Sequence, residues 1–170
     1  VLAVILMFYY NRFGKKTGLP GNAAVSANLA IPFIFGGAVA GISSILYVFA
    51  LIAFLAGMGR EVIKGMADIA GDSKRGVRTL AVSKGLGIAS ETGALFFVAA
   101  VLLSTIPIVF KMVSWLYVPI VMACDIGFLY SAHSIVKDHS PMNALRSKNQ
   151  ALLWMLLGLI AFIAGGFVLG

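Results

Sequence analysis

The sequence predicts an all-α, polytopic transmembrane helix bundle, and three features lead there. They are an apolar composition, long charge-free runs, and basic residues confined to alternate connections. Of 170 residues, 61% are hydrophobic and only 11% are charged, with a mean hydropathy of +1.01. Soluble domains carry roughly 25% charged residues, so this chain has too few polar groups to cover its own surface in water. The net charge of +7 is explained by where the basic residues lie and does not require a nucleic-acid surface. The single Cys124 excludes an intramolecular disulfide and leaves the redox compartment open.

A membrane-crossing helix needs about 20 mostly apolar residues. The chain opens on the apolar run Val1-Leu2-Ala3-Val4-Ile5-Leu6-Met7-Phe8, without an initiator Met. Its basic residues Arg12, Lys15 and Lys16 follow that run, the reverse of a signal peptide. A helix already under way at residue 1 is expected, with more chain upstream. Residues 17–59 carry no charge and predict two crossings joined at Gly41-Ile42-Ser43-Ser44. Further spans are expected over 86–106, ending before Pro107, and over 113–136, interrupted only by Asp125 and His133. The last is expected over 149–170, which is free of charge to its end. With the opening half-helix there are six membrane segments. Ser140-Pro141 has the residue types of an N-cap and first helical position, so 141–148 predicts a short interfacial helix before the last span.

Alternating segments put every Lys and Arg except Lys111 on one side. Arg12, Lys15 and Lys16 follow the first segment. Arg60, Lys64, Lys74, Arg75, Arg78 and Lys84 follow the third, and Lys137, Arg146 and Lys148 follow the fifth. The positive-inside rule then places residues 12–21, 60–84 and 137–148 on the cytoplasmic side of a cell membrane. One span more or fewer would scatter these charges.

The outer links, near 41–44 and 107–112, are short and nearly uncharged, whereas the inner link 60–84 is long and carries both signs. A tether to anionic lipid has no need of its acidic residues. Arg60, Lys64, Asp68 and Asp72 recur every four residues, so a continuing helix aligns them in one stripe, with Gly65 and Gly71 working against helicity. Two carboxylates one turn apart suit Mg²⁺, which commonly takes one or two carboxylates together with substrate phosphates. Neighbouring Arg and Lys neutralise the same phosphates. A solvated loop laced with i,i+4 ion pairs accounts for the same spacing, which does not by itself separate the two.

Elsewhere the signals are thinner. Asp125 lies mid-span, where a lone charge is costly, with His133 two turns on. That pair supports an alternative, a transporter or channel fragment with a proton relay, and a satisfied interhelical hydrogen bond explains Asp125 equally well. No paired repeat of the transporter kind is seen. Glu91 suits an interfacial or rim position. Tyr10, Tyr47, Trp115 and Tyr117 fit aromatic belts, and Gly36-Gly37 and Gly165-Gly166 fit close helix packing. The sequence has no zinc-type Cys/His cluster, nucleotide-binding glycine fingerprint or nucleophile elbow.

The stretch Arg60-Glu61-x-x-Lys64-x-x-x-Asp68-x-x-Gly71-Asp72-x-x-x-Gly76-x-x-Thr79-Leu80 resembles the second aspartate-rich motif of the UbiA superfamily of intramembrane prenyltransferases. In that family a Tyr and a Lys close the fourth helix and Gly-Asn opens the fifth, matched here by Tyr10, Lys15 or Lys16, and Gly21-Asn22. The resemblance covers residues 1–170 as a single transmembrane prenyltransferase domain, the C-terminal portion from the end of helix four through helix nine of a nine-helix fold. The motif's form is most similar to archaeal members, including those that make digeranylgeranylglyceryl phosphate. The sequence departs from the family at Gly65, an Asp in many members, and in the Tyr10-to-Lys15 spacing of five residues where four is usual. A CDP-alcohol phosphotransferase also carries an Asp-x-x-x-Asp pair, but its upstream Asp-Gly and Ala-Arg elements have no match before Asp68.

The resemblance implies that Asp68 and Asp72 are catalytic and hold Mg²⁺ on a prenyl diphosphate such as geranylgeranyl diphosphate. On the same resemblance Arg60, Lys64, Tyr10 and Lys15 are expected to bind the diphosphate. The prenyl tail lies among apolar helices and passes to a lipophilic acceptor within the membrane lipid, with release of pyrophosphate. An aromatic ring, a glyceryl phosphate lipid, a porphyrin and a quinone precursor all stay open as acceptors. The family's first aspartate-rich motif lies upstream of these residues, so the 170 residues alone are expected to be inactive.

Overall fold

The computed structural model describes Val4, residues 17–41 and residues 44–166, and these are helical throughout apart from short connections. Helix α1 spans Leu19–Ala40, α2 Ser44–Ala67, α3 Ile69–Lys74 and α4 Leu80–Lys84. They are followed by α5 at Leu86–Ser104, α6 at Ile106–Val109, α7 at Tyr117–Lys137 and α8 at Pro141–Gly166. Five helical stretches, beginning at Leu19, Ser44, Leu86, Tyr117 and Pro141, are long and apolar enough to cross a membrane. The chain is a multi-pass membrane protein. The sixth expected segment, at the N-terminus, lies outside the described residues.

Bilayer-spanning backbone has to satisfy its own hydrogen bonds, which leaves helices as the economical answer for runs this apolar. Helix α2 is the hub of the bundle. It packs on α1, α5 and α8, while α5 meets α7 and α7 meets α8, closing a four-helix ring with α1 on its flank. Because lipid tails are as apolar as the side chains, association depends on close fit, which small residues permit. A Cβ on Gly59 of α2 would lie 2.6 Å from the Phe97 ring and 2.9 Å from the Gly93 carbonyl oxygen of α5. A Cβ on Gly93 would lie 2.8 Å from Ile63. Gly127 of α7 accepts the Trp154 indole of α8 in the same manner. The expected packing role of the paired glycines holds for Gly37, against Leu46, and for Gly165, against Tyr117, but Gly36 and Gly166 face open space.

Polar ties fix the α7–α8 hairpin. The Trp154 indole N–H donates to Ser131 Oγ at 3.0 Å, and Asn143 Nδ2 donates to the carbonyls of Ser134 and Asp138 at 3.0 and 2.6 Å. Between the helices the Ser140 amide donates to Asp138 Oδ1 at 3.0 Å, which holds that carboxyl below the usual carboxylate range.

Three sequence expectations are corrected. The 141–148 piece is not a separate interfacial helix: α8 runs unbroken from Pro141, because no residue between it and the apolar run breaks the backbone ladder. Ser140 does cap it, accepting from the Asn143 amide at 3.3 Å. The span expected from residue 113 begins at Tyr117 instead, since the Ser114 amide leaves the helical pattern to donate to the Gly165 carbonyl at 3.1 Å. Tyr117 is no belt residue: it is fully buried and its hydroxyl donates to the Ser104 carbonyl at 3.0 Å. Trp115, 76% exposed, does fit an interfacial belt.

The glycine contacts make a graded prediction. Gly59→Ala should cost about 1–3 kcal/mol, the usual penalty for overpacking. Gly36→Ala, with nothing within 4 Å of the new methyl, should be neutral or stabilising by up to about 1 kcal/mol. Thermal unfolding in detergent, read by fluorescence, measures both.

Candidate functional site

Charge enters the bundle at one end of α2. After the charge-free stretch 17–59, Arg60, Glu61 and Lys64 occupy its last two turns. Glu61 is 6% exposed and takes both cations, Arg60 Nη1 donating to Oε1 at 2.8 Å and Lys64 Nζ to Oε2 at 3.1 Å. A carboxylate this buried has to have its oxygens met by donors. Meeting them fixes where the guanidinium and ammonium sit.

Asp68 lies at the junction of α2 and α3. Its backbone angles, φ −95° and ψ 7°, depart only mildly from a helix. The Asp68 amide donates to the Lys64 carbonyl at 3.0 Å, and the Asp72 amide to the Asp68 carbonyl at 2.9 Å. The helical register therefore crosses the junction despite Gly65 and Gly71, and Asp68 and Asp72 stand one turn apart as the spacing predicts. A Cβ on Gly65 would lie 3.3 Å from Thr79. Thr79 is the N-cap of α4, its Oγ1 accepting from the Val82 amide at 3.3 Å. A side chain at 65 therefore fits only if Thr79 gives by a few tenths of an ångström, which makes this a tight position between α2 and α4.

The stripe is not laced by the i,i+4 pairs that a solvated loop would show. Asp72 Oδ1 accepts from Arg75 Nη2 at 2.8 Å, three residues on, and Lys148 Nζ of α8 lies 3.7 Å from Asp68 Oδ1. Asp68 is the open carboxylate, its side chain 43% exposed, while that of Asp72 is 12% exposed. Among the described residues no group of three or more His, Cys, Asp or Glu is arranged for a metal ion. The oxygen donors here are the two Asp carboxylates. Such a set suits a hard divalent cation that completes its shell with phosphate oxygens and water.

Of the residues singled out from the sequence, Arg60, Lys64, Asp68 and Asp72 come together at this end. Tyr10 and Lys15 lie outside the described residues. Asp125 and His133 do not form a relay: Ser104 Oγ of α5 donates to Asp125 Oδ2 at 2.7 Å, and His133 is on an exposed face of α7. Asp125 is thus the satisfied interhelical residue, and Glu91 is exposed on α5. The structure adds Glu61 and Lys148 to the residues gathered at this end. Glu61 was legible in part: it lies three residues before Lys64, a spacing that pairs on a helix, whereas its bond to the adjacent Arg60 emerges only in the structure. Nothing local marked Lys148, which tertiary packing alone brings to Asp68.

Deeper in the bundle α1, α2, α7 and α8 line a partly open apolar pocket of about 350 Å³, with Leu29, Phe33, Ala56, Phe128, Met155 and Leu159 among its lining residues. Pro32 of α1 faces it, and its ring leaves no N–H to satisfy there.

A family model described as the UbiA prenyltransferase family matches residues 1–157. The chain is 35% identical over 160 residues to digeranylgeranylglyceryl phosphate synthase of Archaeoglobus fulgidus, covering 90% of this chain and 54% of that protein. It is 33% identical to the protein of the same name from Korarchaeum cryptofilum, covering 98% of this chain and 60% of that one. A solved structure from work on digeranylgeranylglyceryl phosphate synthase in membranes superposes with a TM-score of 0.88 at 29% identity, over 96% of this chain and 58% of that chain. The chain thus spans a little over half the length of the relatives it matches.

Glu61→Gln removes the charge that two partly buried cations share. It should destabilise the protein by about 1–3 kcal/mol, discounted from a fully buried pair because Arg60 and Lys64 retain solvent contact. Thermal midpoints of the two forms in detergent check it, and an unchanged midpoint would show the bridge to be energetically idle.

Proposed function

Because this chain belongs to the UbiA prenyltransferase family, we propose that its charged end binds the diphosphate of a prenyl donor for prenyl transfer to a lipophilic acceptor within the membrane, with release of pyrophosphate. The observation that carries this reading is the Asp68–Asp72 pair, one turn apart beside Arg60 and Lys64, at the edge of a bundle otherwise nearly free of charge. In this reading Asp68 and Asp72 hold Mg²⁺. When bound, that ion neutralises the diphosphate and stabilises the leaving pyrophosphate as a Lewis acid. On this reading residues 1–170 correspond to the C-terminal portion of the nine-helix fold, with the first aspartate-rich motif upstream of them.

The remaining work falls to this chain's own side chains. Arg60 and Lys64 put fixed positive charge where negative charge grows as the allylic C–O bond breaks and its electron pair leaves with pyrophosphate. Glu61 orients both cations beforehand, so little reorganisation is left for the reaction itself. Tyr10 and Lys15 are assigned to the same diphosphate. The apolar pocket between α1, α2, α7 and α8 suits the prenyl tail, with geranylgeranyl diphosphate a fitting donor. The names of the relatives favour a glyceryl phosphate lipid over an aromatic ring as acceptor. The positive-inside distribution supports a cell membrane with residues 12–21, 60–84 and 137–148 cytoplasmic.

Full-length protein in lipid, given radiolabelled geranylgeranyl diphosphate and a panel of acceptors, should transfer label only with Mg²⁺. Asp68→Asn or Asp72→Asn should lower that rate by about 10²–10³-fold or more, the scale of losing one preorganised electrostatic contact. Near-normal turnover of either variant would sink the assignment. Sidedness has its own check. A cysteine at position 111, in a Cys124→Ala background, should react with an impermeant maleimide on intact cells, and one at position 84 only after permeabilisation.

A further inference from the structure

We propose that Lys148, with the Ser147 hydroxyl beside it, is a phosphate-binding element delivered to this site by α8, and that its pairing with Asp68 is the ligand-free arrangement. The proposal rests on the reading of the site given above.

Helices α2 and α8 run antiparallel in contact. At one end the Phe49 and Phe162 rings stack with centroids 3.9 Å apart, and at the other Lys148 meets Asp68. Lys148 is thereby brought to Asp68 at the end of α2, just past the turns that carry Arg60 and Lys64. Lys148 is drawn inward, its side chain 16% exposed, yet its ammonium is 3.7 Å from Asp68 Oδ1. That is well beyond the 2.7–2.9 Å of a charge-assisted hydrogen bond, and Arg60–Glu61 and Arg75–Asp72 in the same region both reach 2.8 Å. Among the described residues Lys148 makes no hydrogen bond at all, although an ammonium has three protons to donate.

Two further polar groups at this end are buried without partners among the described residues. Ser147 is 0% exposed and its Oγ bonds nothing, and Arg60 Nε is likewise unpartnered although the same guanidinium binds Glu61 through Nη1. Buried polar atoms are rarely left unpaired. The Lys148 ammonium and the Ser147 hydroxyl, adjacent on α8 and without a hydrogen bond among the described residues, are donors that an anion satisfies. A divalent cation on Asp68 and Asp72 would compete with Lys148 for the Asp68 carboxylate and release the ammonium toward phosphate oxygens. The phosphate belongs either to the prenyl donor or to the headgroup of a phosphorylated acceptor, and kinetics separate the two.

The test uses full-length wild-type, Lys148→Met, Lys148→Arg and Ser147→Ala proteins in nanodiscs. Readouts are equilibrium binding of an unreactive thiolo analogue of geranylgeranyl diphosphate with Mg²⁺, KM for donor and for geranylgeranylglyceryl phosphate separately, kcat, and the thermal midpoint. Lys148→Met should weaken binding or raise KM by about 10–100-fold for one phosphate substrate, the scale of a lost charge-assisted contact. Lys148→Arg should restore most of it, and Ser147→Ala should produce a smaller shift in the same direction. A shift in donor Kd and KM assigns the element to the diphosphate, and a shift in acceptor KM alone assigns it to the headgroup. If Lys148→Met lowers the thermal midpoint while Kd and both KM values match wild type, Lys148 is only a structural tie and the proposal fails. Wild-type protein that binds no prenyl diphosphate overturns the underlying site reading as well, and that result is distinguishable from the first.

Discussion

A helix cannot rotate one end without rotating the other, and that constraint ties the chemistry of this protein to its packing. Helix α2 is locked about its axis where Gly59 meets Gly93 and the Phe97 ring, with Ile63 filling the space over Gly93. Arg60, Glu61 and Lys64 are interleaved with those contact residues in the same turns. Once the apolar seam is seated, the direction of every charged side chain at that end is decided, and the backbone bonds through Asp68 carry the register on to Asp72. Substitutions in the seam should therefore disturb the charged end even though they touch no ionised group.

Electrostatics at that end work as a relay of paired charges. Glu61 is the most deeply buried of the carboxylates in the stretch 60–84, and it spends both oxygens on Arg60 and Lys64. Those cations would otherwise be free to fold back onto Asp68 and Asp72 one turn along, cancelling the donors that a divalent cation requires. With Glu61 holding them, Asp68 keeps an open carboxylate whose ionic partner among the described residues is the Lys148 ammonium at 3.7 Å, and that of Asp72 is Arg75. The arrangement separates a pair of carboxylates, Asp68 and Asp72, from a pair of cations, Arg60 and Lys64, within four helical turns.

Much of this was legible in the sequence, because the bilayer imposes coarse rules. Charge-free length gave the spans after residue 17, and the four-residue recurrence from Arg60 to Asp72 gave the stripe, since both signals are periodic along the chain. Legibility failed where non-local contacts decide. Tyr117 reads as an interfacial aromatic until the Ser104 carbonyl is seen to take its hydroxyl, and Asp125 reads as functional until Ser104 Oγ is seen on it. The start of α8 reads as interfacial because Asn143, Arg146 and Lys148 are polar. In the bundle that polar turn continues the helix, with Ala144, Ser147 and Ala151 wholly buried along its inner edge. Lys148 carries no local mark at all, since its significance comes from an antiparallel register that only packing sets.

The same two helices, α2 and α8, build both kinds of surface. Ile52, Ala53 and Ala56 of α2 face Met155, Leu159 and Phe162 of α8 across the apolar pocket. Further along the pair, Asp68, just past the turns that carry Arg60 and Lys64, meets Lys148 of α8. A water-soluble anion has no use for the first surface, and a plain lipid tail has none for the second. A ligand with a long apolar chain and a multiply charged head uses both, and its two parts are then held at a fixed separation by two rigid helices rather than by loops. On the proposed reading, burial of the tail would have a mechanical consequence: the depth of its seat would set how far the head reaches toward Asp68, and tail length and head-group chemistry would be read together along one helix pair.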